Sequence, residues 1–270
     1  MRINKDIITS SSNNRIKHLV GLLKKGKLRR EEGVFVCEGR KMFLEVICQF
    51  PERIKEAYFT PEVFEELQSE YGARLLDINC ELVDVKVFNQ MAETVTPQGV
   101  IAVVKMPEYD LDDLRDEKGV RLLILDDLRD PGNLGTIIRT AEAAGMTGIV
   151  LSSESVDVTN PKVVRSTMGA MLRMPIFYTS SIVETLGTLK SENNGFMTFA
   201  AALDGAVDYT ETDYGTNYGL IIGNEANGVS REVIEASDGC ILIPMEGKVE
   251  SLNAAVAAAL IMYQAKNSAK

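Results

Sequence analysis

Two spacings of apolar residues alternate along this chain. Short continuous apolar runs, such as residues 218–222, are typical of buried strands. Between them, apolar residues recur at intervals of three or four, which predicts amphipathic helices, the first over residues 12–25. The apolar face of this first helix carries Ile16, Leu19, Val20 and Leu23. Strands that alternate with helices imply an α/β fold with a mainly parallel sheet and helices on both of its faces.

An acidic, weakly patterned stretch at residues 106–118 divides the chain. It predicts a linker between a small N-terminal α/β domain, residues 1–105, and a second α/β domain, residues 119–270. A chain of 270 residues, of which 45% are hydrophobic, can fill two cores of this size.

The composition excludes several classes of protein. No apolar run reaches membrane-spanning length, and the N-terminus lacks the apolar core of a signal peptide, so we expect a cytoplasmic protein without a membrane partner. The four cysteines form no CxxC pair, and His18 is the one histidine. The sequence therefore predicts no metal site and a chemistry that uses neither metal nor histidine.

Charge is distributed unevenly. The net charge is −10, yet residues 1–41 hold eleven basic residues against four acidic ones. A local basic patch attracts nucleic acid at close range, although a solvated helix face would explain the same residues. The candidate RNA-binding residues are Arg15, Lys17, Lys24, Lys25, Lys27, Arg29 and Arg30.

Three glycine- and amide-rich segments follow predicted strands of the second domain, and open parallel sheets bind ligands at such strand ends. The first segment is DPGNLGTIIR, residues 130–139. Asn133 lies at a predicted helix cap, and Arg139 lies one helical turn after Gly135, which leaves an open face beside a fixed cation. The structural alternative is that Asn133 only caps the helix and Arg139 only pairs with Glu142.

The second segment is GNEANG, residues 223–228. Gly223 would allow a ligand to approach the backbone closely, and Glu225 could bind hydroxyl or amino groups. A plain turn would explain the glycines equally well.

The third segment, IPMEGKVESLNAAVAAAL at residues 243–260, predicts a strand end, a glycine-bearing loop and a helix that Ser251 caps. Loop amides and the helix N-terminus suit a ligand with polar and anionic groups, and Asn253 adds a side-chain amide. An ordinary strand-to-helix turn is the alternative. The predicted apolar face of the helix consists of Leu252, Val256, Ala259, Leu260 and Tyr263.

Taken in this order, DPGNLGTIIRTAEAAG, LIIGNEANGVS and IPMEGKVESLNAAVAAAL closely resemble the three motifs of the SpoU/TrmH branch of the SPOUT RNA methyltransferases. The N-terminal segment, with FVCEGRKMFLEVI and TPQGVIAVV, resembles that family's accessory substrate-binding domain, which is similar to small RNA-binding ribosomal proteins. None of the segments contains GxGxxG, GxxxxGK[ST], HExxH or GxSxG, so the sequence lacks the usual dinucleotide, P-loop, zincin and hydrolase motifs.

The resemblance implies a 2′-O-ribose methyltransferase that uses S-adenosylmethionine, acts as a homodimer and forms its cofactor pocket with a C-terminal trefoil knot. General fold rules alone would argue against a knot. The resemblance also assigns residues: backbone contacts to the cofactor from Gly223, Ile243 and Leu252, a pocket wall from Met245, and a polar catalytic set of Asn133, Arg139, Glu225, Ser251 and Asn253.

Arg139 would be the family's proton acceptor. A guanidinium with a pKa above about 12 accepts no proton while it is charged. We therefore hypothesise that Arg139 holds the target phosphate and stabilises the developing alkoxide, and that it acts as a base only if it is locally deprotonated.

The predicted substrate is ribosomal RNA, in particular 23S ribosomal RNA, because the accessory domain resembles ribosomal-protein-like binders. Transfer RNA is the alternative. A non-catalytic ribosome assembly factor would need a broken catalytic cluster, and a small-molecule enzyme would leave the basic helix without a role. The sequence leaves open the target nucleotide and the choice between routine modification and antibiotic resistance.

Overall fold

A computed structural model describes residues 2–76, 78–115 and 119–268. Residues 116–118, at the end of the predicted linker, lie outside the described residues. In the described part of that linker, residues 111–114 form one 3-10 turn whose N-terminus is closed by a capping box.

The chain forms two compact units. The first comprises Met1–Pro107 and Asp157–Leu172, and the second comprises Glu108–Val156 and Arg173–Lys270. A short segment from within the predicted domain 119–270 thus packs with the N-terminal unit. The three predicted domain ranges stay a prediction.

The first unit is built on a mixed sheet of five strands in the order β1-β4-β3-β5-β2. Strand β5 runs antiparallel to β2 and β3, whereas β4 runs parallel to β1 and β3. In β1, polar residues interrupt the apolar ones, so no continuous apolar run marks this strand in the sequence. The strands are β1 (Arg2–Ile8), β2 (Val34–Glu38), β3 (Ile54–Phe59), β4 (Asn79–Val83) and β5 (Val100–Lys105).

The second unit is built on a sheet of seven strands in the order β10-β12-β9-β11-β6-β7-β8. Each strand pair in it is parallel, so the predicted α/β fold with a mainly parallel sheet is confirmed. The strands are β6 (Arg121–Leu125), β7 (Gly148–Ser152), β8 (Ile176–Thr179), β9 (Met197–Ala201), β10 (Val207–Asp208), β11 (Tyr218–Ile222) and β12 (Gly239–Leu242).

Helices connect these strands. Those of the N-terminal part are α1 (Asn14–Lys24), α2 (Gly26–Glu32), α3 (Arg40–Gln49), α4 (Pro61–Leu75) and α5 (Val85–Met91). Those that follow are α6 (Pro131–Ala144), α7 (Pro161–Thr167), α8 (Ile182–Glu192), α9 (Arg231–Ala236) and α10 (Ala254–Ser268). None of the described helices is both long enough and apolar enough to cross a bilayer.

The first predicted helix is confirmed as α1. Asn13 caps it by accepting a hydrogen bond from the Arg15 amide, and its apolar side faces the core. Val20 is only partly buried, because Leu22 takes its place on the buried face.

Two predicted helix starts are wrong. Helix α6 begins at Pro131 and is capped by Asp130, whose carboxylate accepts from the Asn133 amide at 2.7 Å. Helix α10 begins at Ala254, after a cap formed by Asn253 rather than by Ser251. In both cases the capping side chain stands directly before the first helical turn, where it reaches the free amides.

The predicted apolar face of α10 is also wrong for this chain by itself. The residues that are buried lie on a different side of the helix, which packs against α6, and three of the five are alanines. The five are Ala255, Ala258, Ile261, Met262 and Ala265. Val256, Leu260 and Tyr263 are instead exposed.

Helix α7 ends at Thr167. Met168 adopts a left-handed conformation with φ of 52° and ends the helix, and a 3-10 turn follows at residues 170–172. Strands β6 and β11 are neighbours at the centre of the second sheet, so the loops that leave their carboxyl ends meet.

Candidate functional site

Glu225 joins the first two motifs at the carboxyl end of the second sheet. Its Oε2 accepts a hydrogen bond from the Arg129 amide at 3.1 Å, and its Oε1 accepts from the Asp130 amide at 3.0 Å. Oε1 also accepts from Asn133 Nδ2 at 2.9 Å. One carboxylate therefore orders the loop before α6 and fixes the amide group of Asn133.

Asn253 connects the third motif to the same group. Its Nδ2 donates to Asn133 Oδ1 at 2.9 Å, while its own Oδ1 accepts from the Ala255 amide at 2.9 Å. Asn253 thus caps α10 and binds Asn133 at once. We call the hydrogen-bonded set Glu225, Asn133 and Asn253 the site network.

The site network keeps Glu225 ionised. Partial burial raises the pKa of Glu225, but the hydrogen bonds from Asn133 and from the Asp130 and Arg129 amides outweigh it, and the net pKa is lowered from 4.5. Hydrogen bonds donated to a carboxylate favour its charged form. A fixed negative charge therefore lies at the centre of the network at neutral pH.

Gly223 is required by a close approach of the backbone. A Cβ atom at this position would lie 2.1 Å from the carbonyl carbon of Gly228, so no other residue fits without moving the loop. Asn224 closes that loop, because its Oδ1 accepts from the Ala226 amide at 2.9 Å. Its Nδ2 donates to the Asp127 carbonyl at 2.9 Å.

Sequence reasoning missed Asn224 and the capping role of Asp130. The sequence signal for Asn224 is its position directly after Gly223, in a glycine-bearing turn. The signal for Asp130 is the Asp-Pro pair at a helix start. Both residues shape the loops that carry the site network.

Arg139 lies outside the site network. It is exposed on α6, six positions and about 9 Å along the helix axis from Asn133. Within residues 2–76, 78–115 and 119–268, Arg139 forms no hydrogen bond or ion pair, and Glu142 binds Arg173 instead. The alternative pairing of Arg139 with Glu142 is therefore wrong, and the guanidinium is available for a ligand.

The loop between β12 and α10 offers unpaired backbone groups. In the described part of the chain, no peptide group of residues 243–252 forms a hydrogen bond. Ile243, Met245 and Leu252 are half-buried in this loop, whereas Ser251 is exposed. Apolar side chains beside free amides and carbonyls fit a cofactor such as S-adenosylmethionine, which has an apolar-faced adenine and a charged amino acid part.

The six exposed residues of the predicted RNA-binding set fall into two groups. Lys17, Lys24 and Lys25 are exposed and form no ion pair among the described residues. The other exposed cations have acidic partners: Arg15 with Glu81, Lys27 with Glu31, and Arg30 with Asp157.

Arg29 differs from these surface cations because it is 4% exposed. Its Nη1 donates to the carbonyls of Leu22 and Leu23, its Nε to Thr159 Oγ1 and its Nη2 to Asp157 Oδ2, at 2.8 to 3.1 Å. We call this set the Arg29 cluster. A buried guanidinium with these partners is not available to RNA, so Arg29 is left out of the proposed RNA surface.

Among the described residues, no group of three or more histidine, cysteine, aspartate and glutamate side chains could hold a metal ion. The polar groups of the site network are amides and a single carboxylate. This set suits hydrogen bonding to an organic ligand better than metal coordination.

Comparison with known proteins decides the family. The model of the SpoU rRNA methylase family matches residues 121–263, which include all three motifs. The chain belongs to the SpoU rRNA methylase family. A second model, the MRM3-like substrate binding domain, matches residues 13–102, in the N-terminal part of this SpoU chain. The resemblance to SpoU/TrmH enzymes is thereby confirmed, and with it the interpretation as an S-adenosylmethionine-dependent RNA methyltransferase.

The SpoU chain is similar to characterised relatives over nearly its whole length. It is 34% identical to the 23S rRNA (guanosine(2553)-2′-O)-methyltransferase RlmP of Bacillus subtilis, over 95% of this chain and 97% of the relative. Its structure is similar to that of an AdoMet-bound rRNA methyltransferase from Sinorhizobium meliloti, with a TM-score of 0.85, 31% identity and coverage of 99% and 98% of the two chains.

A third similar structure is AviRb from Streptomyces viridochromogenes in complex with AdoMet. Its TM-score is 0.82 at 26% identity, and the match covers 94% of this chain and 98% of that one. The likeness thus includes both the SpoU region and the N-terminal substrate-binding region.

Proposed function

We propose that this protein transfers a methyl group from S-adenosylmethionine to a ribose 2′-hydroxyl of 23S ribosomal RNA. The observation that carries the proposal is the site network, in which hydrogen bonds join one residue from each of the three motifs. Arg139 lies farther along the helix that carries Asn133, is exposed and has no partner among the described residues. The RNA target is supported by the similarity to RlmP of Bacillus subtilis, whose name states that specificity.

Gly223, Ile243 and Leu252 would hold the cofactor largely through their backbone, and Met245 would line its pocket. The peptide groups of residues 243–252, which form no hydrogen bond among the described residues, support this assignment. When bound, the cofactor supplies an electrophilic methyl group on sulfur. The residues of this chain then have to orient a ribose hydroxyl and help it lose its proton.

Asn133 and Arg139 are proposed to act on the RNA side. Asn133 has its amide fixed at both ends, since its Nδ2 binds Glu225 and its Oδ1 binds Asn253. A fixed amide orients a neighbouring ribose at little entropic cost, and such positioning can contribute several kcal/mol, with a ceiling of about 7–11 kcal/mol. Arg139 would bind the target phosphate and stabilise the developing alkoxide.

Ser251 is proposed as a further polar contact at the site. It is exposed in the loop before α10 and has no hydrogen-bond partner among the described residues. Glu225 and Asn253 are proposed to act through Asn133, as positioning residues.

The basic surface of α1 and α2 is proposed to bind the RNA backbone. Lys17, Lys24 and Lys25 carry the main charge, because no acidic group neutralises them among the described residues. Arg15, Lys27 and Arg30 would add weaker contacts, since each already has an acidic partner.

The proposal includes a homodimer and a C-terminal trefoil knot. Val256, Leu260 and Tyr263 form an apolar stripe at helical spacing on α10, and their exposed fractions are 48%, 40% and 43%. Such a stripe on a surface helix suits burial against a second copy. A cytoplasmic location and the domain ranges 1–105, 106–118 and 119–270 complete the proposal.

The decisive experiment measures transfer of labelled methyl from S-adenosylmethionine to purified ribosomal and transfer RNA. We expect label at one 23S nucleotide and a fall in kcat of about 10²–10³-fold in Arg139→Ala, because a preorganised charge at the reacting oxygen is lost. Arg231→Ala, an exposed arginine on α9, is the matched control.

The outcome in other variants and substrates separates the alternatives. Near-full activity of Arg139→Lys would remove the case for a specific guanidinium. Label in transfer RNA alone would move the substrate to that class, and cofactor binding without transfer to any RNA or ribosomal particle would favour an assembly factor.

The homodimer is tested with Leu260→Glu. A charge in the centre of the apolar stripe is expected to convert a dimer into a monomer, since an unpaired charge is costly to bury. Mass measured by light scattering checks this, and Val183→Glu on α8, a valine that is 39% exposed, serves as the control. A wild-type protein that is monomeric at micromolar concentration would contradict the proposal.

A further inference from the structure

The N-terminal unit contains a cavity that the proposed methyl transfer does not use. Its volume is about 180 Å³, and it lies at the start of helix α3. The cavity is lined by Glu38, Gly39, Lys41, Met42, Gln98, Arg165 and Met168. Arg165 and Met168 come from the segment Asp157–Leu172, which the SpoU model matches. The other lining residues lie in the range that the substrate-binding model matches, so both ranges contribute to one cavity.

We propose that this cavity binds one unstacked base of the RNA substrate together with its neighbouring phosphate. The inference rests on the proposed function in that it takes the substrate to be RNA. It adds a second nucleotide site, separate from the nucleotide that is methylated.

The size of the cavity favours a single ring system. Pockets for whole drug-sized ligands or cofactors typically have volumes of about 300–1,000 Å³, so this cavity takes only part of such a molecule. A nucleobase that is splayed out from a single-stranded loop is a flat ring of suitable size, and RNA-binding proteins generally read such unstacked bases.

The walls suit a flat aromatic ring. Met42 is buried and Met168 is 41% exposed, so two thioether side chains border the space. Methionine sulfur makes favourable contacts with aromatic rings and adapts to their shape.

Gln98 supplies hydrogen-bonding groups for a base edge. Its Oε1 accepts from the Arg40 amide at 2.8 Å, which leaves the Nε2 group as two donors that have no partner among the described residues. The Gln98 side chain is therefore held in place through Oε1, while Nε2 can donate hydrogen bonds to the edge of a base.

The rim of the cavity suits a phosphate. Lys41 is exposed and forms no ion pair within the described ranges. Gly39 precedes α3 and has no side chain to cap it, so among the described residues only the Arg40 amide at this helix start is bound by a side chain, that of Gln98. Arg165 Nη1 is buried without a hydrogen bond and lies 3.7 Å from Glu93 Oε2.

The acidic groups nearby are already engaged. Glu38 accepts from the Glu93 and Thr94 amides at 3.0 Å and from the Thr94 hydroxyl, so its carboxylate oxygens hold residues 93 and 94. Glu93 is paired with Arg165. Lys41 is thus the cation that remains for a phosphate.

The test measures equilibrium binding of the full-length protein to a 23S rRNA transcript between about 50 and 200 mM salt. Met168→Gly removes one wall at little cost to folding, because φ is 52° at this position and glycine adopts that conformation freely. Lys41→Gln removes the phosphate contact alone.

The two variants are expected to differ in kind. Met168→Gly should raise Kd about 5-fold or more at every salt concentration, by loss of contact with the base. Lys41→Gln should lower the slope of log Kd against log salt by about 0.7, the value for one contact to a single strand. Neither variant should alter the affinity for S-adenosylmethionine or the melting temperature.

Two matched controls are available. Lys86 occupies the second position of α5 as Lys41 does in α3, and it is also exposed, so Lys86→Gln should leave Kd and its salt slope unchanged. Met197 is 43% exposed at the start of β9, and Met197→Ala should behave like the wild type.

Wild-type Kd and salt slope in both Met168→Gly and Lys41→Gln would overturn the inference. A second outcome would also overturn it: adenosine or guanosine 5′-monophosphate binds with micromolar Kd, and neither substitution changes the Kd for RNA. The cavity would then bind a free nucleotide. Since binding is measured without methyl transfer, an inactive wild-type enzyme would count against the proposed function alone.

Discussion

Two polar clusters in this protein differ in how far their hydrogen-bonding capacity is used. In the Arg29 cluster, a buried guanidinium donates to two carbonyls, a hydroxyl and a carboxylate. In the site network, Glu225 and Asn253 are exposed, and Arg139, farther along the helix that carries Asn133, has no partner in the described part of the chain. The saturated cluster stabilises the fold, whereas the unsaturated one leaves groups for a ligand.

The difference has a physical basis. A buried cation without partners would cost several kcal/mol, so a cluster in the interior must be complete before a ligand arrives. At the surface, water satisfies the free groups until the substrate displaces it, so incomplete networks are tolerated there. The comparison predicts that substitutions in the first cluster change stability and that those in the second change activity.

The largest effect on stability is expected from Arg29→Ala. Removing the guanidinium leaves the Leu22 and Leu23 carbonyls without this donor and takes the nearer of two cations from Asp157. This should lower the free energy of unfolding by about 3 kcal/mol, with catalysis unchanged in the folded fraction. Denaturant unfolding checks this. Arg30→Ala is the control, because Arg30 is 63% exposed in its side chain and pairs with the same Asp157, so its loss should cost less than about 1 kcal/mol.

An intermediate effect is expected from Gly223→Ala, which tests whether the site tolerates change in its backbone. The added Cβ displaces the loop at Gly228, at a cost of about 1–3 kcal/mol, and should weaken binding of S-adenosylmethionine measured by calorimetry. Gly187→Ala, on an open face of α8, should instead raise stability by up to about 1 kcal/mol. Unchanged cofactor affinity in Gly223→Ala would remove this glycine from the cofactor site.

The smallest effect on stability is expected from Glu225→Gln, on the order of 1 kcal/mol. The site is exposed, so water can accept hydrogen bonds from the donors that lose the carboxylate. The lowered pKa fixes the sign of the pH dependence. The stabilisation is complete above about pH 4.5 and is lost as the pH falls through the lower pKa of the folded state.

The difference in unfolding free energy between wild type and Glu225→Gln should therefore be constant from about pH 6 to 8 and shrink in acid. A larger fall in kcat than in stability would identify Glu225 as a positioning residue, whereas equal losses would make it merely structural. Glu235→Gln on α9, where the glutamate pairs with Arg231, controls for loss of a surface charge.

The local sequence determined most of the elements and the three motifs. Continuous apolar runs gave β6 and β11, helical spacing gave α1, and Gly145 ends α6 in the left-handed conformation as glycine does. Capping was less well determined, because several polar residues stand near each helix start and only the backbone geometry selects one. Asp130 and Asn253 were selected over the predicted Asn133 and Ser251.

Tertiary structure alone decided which polar groups meet. Asn133 binds Glu225 across 92 residues and Asn253 across 120, and Arg29 binds Thr159 across 130. Such pairs depend on the order of strands in a sheet and on which segment packs with which unit, and neither is encoded in a local pattern. The sequence by itself thus determined the family, the elements and the candidate residues, while the packing of distant segments decided that Asn133 is held at both ends and that Arg29 is buried.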